Sequence, residues 1–187
     1  MSNKYKFLDQ DHLHFVTCTS VFWIDLFIRD EYRNVLIDSL KYCQQNKGLV
    51  IYGYCIMSSH IHLIIGRNDA NVKLEHIMRD FKRHTSKKIH DLLLNQNQVL
   101  ESRKKWMLWM MQLAGKRNSN NNEFQFWQQD NHPVEIYTSH VFHQKLNYIH
   151  DNPVVSGFVS QPDHWLYSSA RNYANMYSFL KLNILRE

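Results

Sequence analysis

Long apolar runs are missing from this sequence, and so is a secretion signal. No stretch reaches the roughly 20 apolar residues that a membrane-spanning helix needs, and the opening MSNKYKFLDQ does not pass from charged to apolar. We therefore predict a cytoplasmic protein without membrane contact. Apolar residues still make up 44% of the 187-residue chain, as in an ordinary globular protein, and the length predicts one domain over 1–187.

Cysteine and glycine are also scarce. The three cysteines are an odd number, and Cys18, Cys43 and Cys55 each lie within an apolar periodic segment. This placement indicates buried thiols rather than disulfides or zinc ligands. The five glycines form neither a phosphate-binding loop nor a dinucleotide-binding fingerprint, which argues against the enzyme classes that depend on those loops.

The excess of positive charge is small. The chain has 22 Lys and Arg against 17 Asp and Glu, a formal net charge of +5. Such an excess permits a polyanionic partner without requiring one. Part of it lies on one predicted helix, whose basic face is a candidate phosphate-binding surface formed by Arg79, Lys82, Arg83 and Lys87. The alternative is that this face is simply solvated.

Periodicity predicts the order strand, helix, strand, strand, helix, strand. The strands are expected at 13–19, 50–56 and 60–65, the helices at 29–46 and 72–92, and a short strand pair within 124–137. This order predicts an α+β fold, an antiparallel sheet with helices on one face.

Two further helices are expected outside that pattern. An inserted helix and loop are predicted at about 97–123, because 106–113 is apolar nearly all round and a polar, Asn-rich stretch follows. Another helix is predicted from Ser139 to Asn152, where Pro153 should end it.

The third predicted strand carries the most informative residues. Side chains alternate along a strand, so Ile61, Leu63 and Ile65 share the core face, while His60 and His62 project together from the other. Two neighbouring imidazoles can bind one metal ion, but a catalytic metal needs further ligands and an open position. The alternative is that both histidines are solvated polar residues.

The helix predicted from Ser139 to Asn152 carries a candidate for the third metal ligand. Tyr148 and Asn152 are four residues apart and so lie on one helix face. If that face covers the histidines, Asn152 completes the metal shell and Tyr148 points at whatever the metal binds. A phenol loses its proton only near pH 10, so attack on phosphorus needs the help of a metal. Alternatively, Tyr148 packs at a helix flank and Asn152 merely terminates the helix.

Two separated motifs, in this order, resemble the IS200/IS605-like tyrosine transposases, and most closely their REP-associated branch. The motifs are YCIMSSHIHL at 54–63 and YIHDNPV at 148–154; FWQ at 126–128 and WLYSSA at 165–170 add to the likeness. The resemblance implies a ferredoxin-like sheet and an HUH-type enzyme with one nucleophilic tyrosine.

By motif position, the resemblance implies Tyr148 as the nucleophile that forms a 5′-phosphotyrosine intermediate, and His60, His62 and Asn152 as metal ligands. It further implies Mg²⁺ or Mn²⁺ as cofactor, although imidazoles by themselves suit softer metals. The implied partner is single-stranded DNA with a hairpin. Separately, Trp165, Tyr167 and Tyr173, near the C-terminus, are candidates for stacking on unpaired bases, with core packing the favoured alternative for Trp165.

The sequence departs from the family pattern in two places. Ser59 stands where relatives carry an asparagine before the first histidine, which removes no ligand. The insertion at about 97–123 is longer than the family norm, and an apolar helix there leaves a monomer and a homodimer both open.

Three hypotheses follow. The first is an active tyrosine transposase, the second a catalytically silent DNA-binding descendant, and the third a metal-dependent hydrolase in which water attacks. A covalent DNA adduct separates the first from the other two.

Overall fold

A four-stranded antiparallel sheet forms the centre of the molecule. The computed structural model describes residues 7–95, 100–118, 123–129 and 133–185. The strands are β1 (Leu13–Thr19), β2 (Leu49–Ile56), β3 (His60–Arg67) and β4 (Val134–Ile136), and their order across the sheet is β2-β3-β1-β4. With a helix after β1 and another after β3, this is the predicted ferredoxin-like topology.

Five helices surround the sheet in the described part of the chain. They are α1 (Asp30–Asn46), α2 (Leu74–Leu94), α3 (Lys104–Lys116), α4 (Ser139–Val155) and the short α5 (Ala170–Tyr173). The first two match the predicted helices to within two residues. Among the described residues, no helix is both long and apolar enough to cross a membrane.

The two faces of the sheet pack against different helices. Ile61, Leu63 and Ile65 of β3 join the large core that includes the apolar stripes of α1 and α2. Ile64, on the other face, joins a smaller core with Leu146 and Ile149 of α4. The alternation that was predicted for β3 is therefore present, and both of its faces are covered.

Helix α4 begins as predicted and ends later than predicted. The Thr138 hydroxyl caps it by accepting from the Val141 amide at 3.2 Å. The expectation that Pro153 ends the helix is wrong, since α4 continues to Val155. A proline in the last turn removes only one backbone hydrogen bond, so the helix can continue past it. Gly157, which has a φ of +75°, then lets the chain turn away from the end of the helix.

The predicted strand pair within 124–137 is also wrong in part. One strand forms there, β4, and it pairs with β1 rather than with a neighbour in sequence. Trp127 makes an isolated bridge to Ser20 instead. Cys18, Cys43 and Cys55 are all buried, as expected.

Helix α3, which lies in the stretch predicted to be an insertion, packs closely against the chain that follows it. The side chains of Met107 and Met111 on this helix pack in the large core. A Cβ atom on Gly115 would lie only 2.8 Å from the Cα atom of Phe124 and about as close to two other backbone atoms of that residue. The absence of a side chain at Gly115 is thus what allows this close approach.

Replacing Gly115 with alanine tests that contact. Alanine has the higher helix propensity by about 1 kcal/mol, but backbone atoms cannot rotate away as a side chain can. We expect a net loss of about 1–3 kcal/mol in the free energy of unfolding, measured by urea denaturation. Gln112→Ala, on the exposed side of the same helix, is the matched control and should be near neutral. A Gly115→Ala variant as stable as the native protein would contradict this account of the contact.

Candidate active site

His60, the first residue of β3, and His62 form the centre of the site. His60 and His62 have ring centroids 4.7 Å apart at an interplanar angle of 74°. They lie on the face of the sheet that α4 covers, and His62 is only 4% exposed. His62 is therefore buried and His60 partly buried, which rules out the alternative that both are solvated surface residues.

Two hydroxyl groups orient these rings. The Thr17 hydroxyl lies 2.8 Å from Nδ1 of His62, its partner in the β1–β3 register, and the Ser59 hydroxyl lies 3.2 Å from Nδ1 of His60. When Nδ1 carries the proton and donates it to the hydroxyl oxygen, Nε2 is left with a free lone pair. This is the tautomer that binds a metal ion. Ser59 thus contacts the His60 ring through a hydrogen bond.

Burial keeps both rings neutral. It lowers the pKa of His60 to about 4, and burial together with the neighbouring His60 lowers the pKa of His62 to about 3. The causes are loss of hydration around a charged imidazolium and repulsion between two of them. A metal ion therefore has no proton to displace from either ring near pH 7.

Helix α4 brings the other two predicted residues to this pair. The Asn152 amide nitrogen, Nδ2, lies 3.4 Å from Nε2 of His62. Turning the amide over would direct its oxygen to the same place. The Tyr148 ring, one turn earlier, is 5.3 Å from the His62 ring, and its side chain is half exposed. All four of the predicted catalytic and metal-binding residues thus meet in one place.

Sequence reasoning missed two residues beside them. Phe15 on β1 stacks on His62 with ring centroids 5.5 Å apart, and the edge of the Tyr148 ring meets it at 5.9 Å. The Lys145 ammonium lies 5.1 Å from the centroid of the Phe15 ring. Lys145 is three residues before Tyr148, so the helical spacing alone pointed to it.

Below the site, His150 fastens α4 to the sheet. Its Nε2 atom lies 2.8 Å from the Ser169 hydroxyl, which also accepts the backbone amide of Tyr54 on β2 at 2.9 Å. Burial lowers the pKa of His150 to about 4. The hydrogen bond of this neutral imidazole helps to set the distance between α4 and the histidine pair.

The basic face predicted to bind phosphate lies elsewhere. Helix α2 packs on the sheet face opposite the histidines. Arg79 and Arg83 both pair with Asp80, and Lys82 donates to the Gln128 carbonyl at 2.5 Å. The structure does not bring these residues, or Lys87 on the same helix, to the site, and their contact with DNA stays a prediction.

The C-terminal aromatic residues are occupied by packing. The Tyr167 hydroxyl donates to Asp30 at 2.8 Å, and the Tyr173 hydroxyl to the Tyr52 carbonyl at 2.9 Å. The Trp165 indole donates to the Ile56 carbonyl at 2.9 Å. Tyr167 is buried, and base stacking by Trp165 and Tyr173 stays a prediction. A further aromatic residue beside the histidines is Trp23, whose ring centroid lies 5.5 Å from that of His60.

A second group able to hold an ion lies at the start of β1. It consists of Asp9, His12 and Glu135, which are mostly exposed. The hydrogen bond between His12 and Glu135 raises the pKa of His12. A raised pKa favours the protonated ring, so this group is better described as a surface ion pair than as a metal site.

Comparison with known proteins places this geometry in context. The sequence model described as "Transposase IS200 like" matches residues 9–112, more than half of the chain, and ends before α4. Among curated proteins, no match is found.

Two solved structures that show some similarity to this chain are described as transposases. One, the REP-associated tyrosine transposase bound to a REP hairpin, superposes with a TM-score of 0.66 at 15% identity, covering 100% of this chain and 95% of that one. A putative transposase from Deinococcus radiodurans R1 gives 0.40 at 14% identity, over 80% of this chain and 95% of that one. At such identities the first likeness shows a shared fold.

The buried His150 predicts a pH dependence of stability. Its pKa is about 4 when folded and about 6.5 when unfolded, so only the unfolded chain gains this proton as pH falls from 6.5 to 4. The free energy of unfolding should fall over that window, by up to about 1.4 kcal/mol per pH unit for this group. In metal-free buffer, urea denaturation of His150→Gln should show a correspondingly shallower loss than the native protein. Equal slopes for the two proteins would contradict the assignment.

Proposed function

This chain belongs to the family of IS200-like transposases, and we propose that it cuts and rejoins single-stranded DNA with Tyr148 as the nucleophile. In this proposal a divalent ion, Mg²⁺ or Mn²⁺, is bound by His60, His62 and Asn152. The single observation that carries the proposal is the convergence of Tyr148 and Asn152 of α4 on the histidine pair of β3.

The residues fit a divalent metal ion. Each histidine has its Nδ1 atom engaged by a hydroxyl and its Nε2 atom available, and the amide of Asn152 stands beside one of them. Three protein ligands leave positions for phosphate oxygens. When bound, the ion supplies positive charge that stabilises the phosphoryl group during transfer. Of the two ions, Mn²⁺ accepts imidazole more readily.

The chemistry assigned to Tyr148 is a reversible exchange of phosphodiester bonds. Its hydroxyl oxygen attacks phosphorus and releases its proton to solvent, which its half-exposed side chain can reach. A bond forms between phosphorus and the phenolic oxygen, and the bond from phosphorus to the 3′ oxygen breaks. That oxygen takes up a proton and leaves as a 3′ hydroxyl, while the 5′ phosphate stays on the tyrosine. Attack by a 3′ hydroxyl of another strand reverses the step, so no ATP is needed.

Lys145 adds charge to the same helix face. Its ammonium lies over Phe15, which also contacts the Tyr148 ring. A cation in this position favours the approach of a DNA phosphate and stabilises the negative charge that grows on its oxygens. Lys145 is thus assigned a role in holding the scissile phosphate.

We assign a single-stranded substrate with a hairpin end. The support is the family membership together with the neighbouring structure, a transposase bound to a REP hairpin. Because all four site residues converge within one chain, the proposed chemistry does not require a homodimer. A silent DNA-binding descendant is disfavoured by the same convergence, and a water-using hydrolase by the position of the Tyr148 ring.

The decisive variant for the nucleophile is Tyr148→Phe. Incubating the native protein with Mn²⁺ and labelled single strands from the flanks of its own gene should give a protein-linked DNA band on a denaturing gel. The variant should give none, because only the attacking hydroxyl is lost. Tyr177→Phe, which alters another exposed tyrosine away from the site, is the matched control and should form the band.

Other outcomes of this assay point to the alternatives. Cleavage without a covalent band would support the hydrolase, and binding without cleavage would support the silent descendant.

The Thr17 hydroxyl predicts a separate effect on metal binding. Thr17→Val keeps the shape of the side chain and removes the hydrogen bond that orients His62. We expect Mn²⁺ affinity to fall about 10- to 100-fold, as is typical when a hydrogen bond that orients a metal ligand is lost. Titration followed by electron paramagnetic resonance measures this, and Thr17→Ser should retain most of the affinity. Unchanged affinity in Thr17→Val would mean that His62 does not bind the ion through Nε2.

A further inference from the structure

The turn after β1 holds two aromatic residues in an unfavourable backbone conformation. Phe22 has a φ of 53° and Trp23 a φ of 57°. Among the described residues, Asn175 is the only other non-glycine residue with a positive φ. Asparagine tolerates this region, but bulky residues rarely adopt it and raise the free energy of the folded state when they do. Two such residues in succession therefore need an explanation.

Hydrogen bonds to the active-site strand hold the turn in place. The Ser20 amide donates to the Ser59 carbonyl at 2.9 Å, immediately before His60, and the Val21 amide donates to the Phe126 carbonyl at 2.7 Å. Inside the turn, the Ser20 hydroxyl donates to the Ile24 carbonyl at 2.8 Å. The turn is thus a rigid extension of the site.

Packing does not account for the choice of residues. The side chains of Phe22 and Trp23 are 42% and 61% exposed, so both leave much of their surface in water. Glycine would adopt the same backbone conformation without strain. Large exposed rings at a strained position beside an active site indicate a binding role.

The two rings border a groove with the chemistry of a nucleic-acid site. The groove encloses about 660 Å³ between this turn, the end of α3 and residues 125–129, a volume within the range of ligand sites. Its other walls include Arg117 and the amides of Asn118 and Gln129, and none of the described residues that line it carries a carboxylate. Aromatic faces stack on unpaired bases, arginine binds phosphate, and amides bond to base edges.

We propose that Phe22 and Trp23 form a stacking subsite for an unpaired base of the DNA strand, next to the phosphate that is cut. This inference rests on the function proposed above. The Trp23 and His60 rings have centroids 5.5 Å apart, so a base stacked on Trp23 lies close to the metal site. Arg117 and Asn118 at the end of α3 form the opposite wall, which gives the inserted helix a role in binding the strand.

The test measures binding without cleavage, in the Tyr148→Phe background. The probe is a fluorescein-labelled hairpin with single-stranded tails from the flanks of its own gene, prepared as a series in which each tail base in turn is replaced by an abasic site. At one position next to the cleavage point, loss of the base should weaken binding about fivefold or more, as expected for a lost stacking interaction.

Trp23→Gly is the decisive variant, because glycine suits the φ of 57° and keeps the fold. It should bind the intact hairpin about fivefold or more weakly, with an unchanged or higher Tm, and should no longer distinguish the abasic probe at that position. Trp109→Ala, which removes a ring of similar exposure on α3 outside the groove, is the matched control and should still distinguish it.

Equal discrimination by Trp23→Gly, or an equal loss in Trp109→Ala, would overturn the subsite. Failure of the subsite is separable from failure of the proposed function. A native protein that forms the covalent adduct without coupling between Trp23 and a base disproves only the subsite, whereas coupling without an adduct disproves only the transferase chemistry.

Discussion

The packing of α4 across the histidine face of the sheet is the contact on which the rest of the site depends. Without it, His60 and His62 would be two hydrated side chains on an open strand, protonated below about pH 6.5 like any free imidazole. With it, His62 is almost fully buried, and both rings stay neutral. The same helix carries Tyr148 and Asn152, so one packing contact both creates the metal-binding chemistry and delivers the nucleophile.

That contact depends on small details at β2. A Cβ atom on Gly53 would lie 2.8 Å from the Leu146 side chain, so glycine lets α4 come down close to the sheet. His150 and Ser169 then join the helix to the Tyr54 amide. The residues that set the distance between α4 and the sheet have no catalytic role, but they determine whether Asn152 can reach His62.

Much of this arrangement could be predicted from the sequence. Alternation along β3 separates the histidines from the three core residues, and the four-residue spacing puts Tyr148 and Asn152 on one helix face. The orienting role of Thr17 was also within reach, because an antiparallel pairing of β1 with β3 must place some residue of β1 opposite His62. Periodicity could not predict the distance between α4 and the sheet. That distance depends on the close packing of Leu146 against Gly53.

The failures have physical causes too. Charge on α2 does not locate the histidine site, because this helix packs on the other face of the sheet, where Asp80 pairs with Arg79 and Arg83. The packing of the C-terminal aromatic residues could not be read from the sequence, because it depends on distant hydrogen-bond acceptors such as Asp30 for Tyr167. The strained turn at Phe22 and Trp23 escaped notice because neither residue favours a positive φ, so nothing in local propensity indicates it.

The central claim is that the hydroxyl oxygen of Tyr148 is the nucleophile. The most direct measurement is mass spectrometry of the protein after reaction with a single-stranded substrate, followed by nuclease and protease digestion. The account predicts a nucleotide remnant, linked through phosphate, on the peptide that contains Tyr148 and on that side chain. Cleaved DNA with every tyrosine unmodified, or a remnant on a different tyrosine, would contradict it.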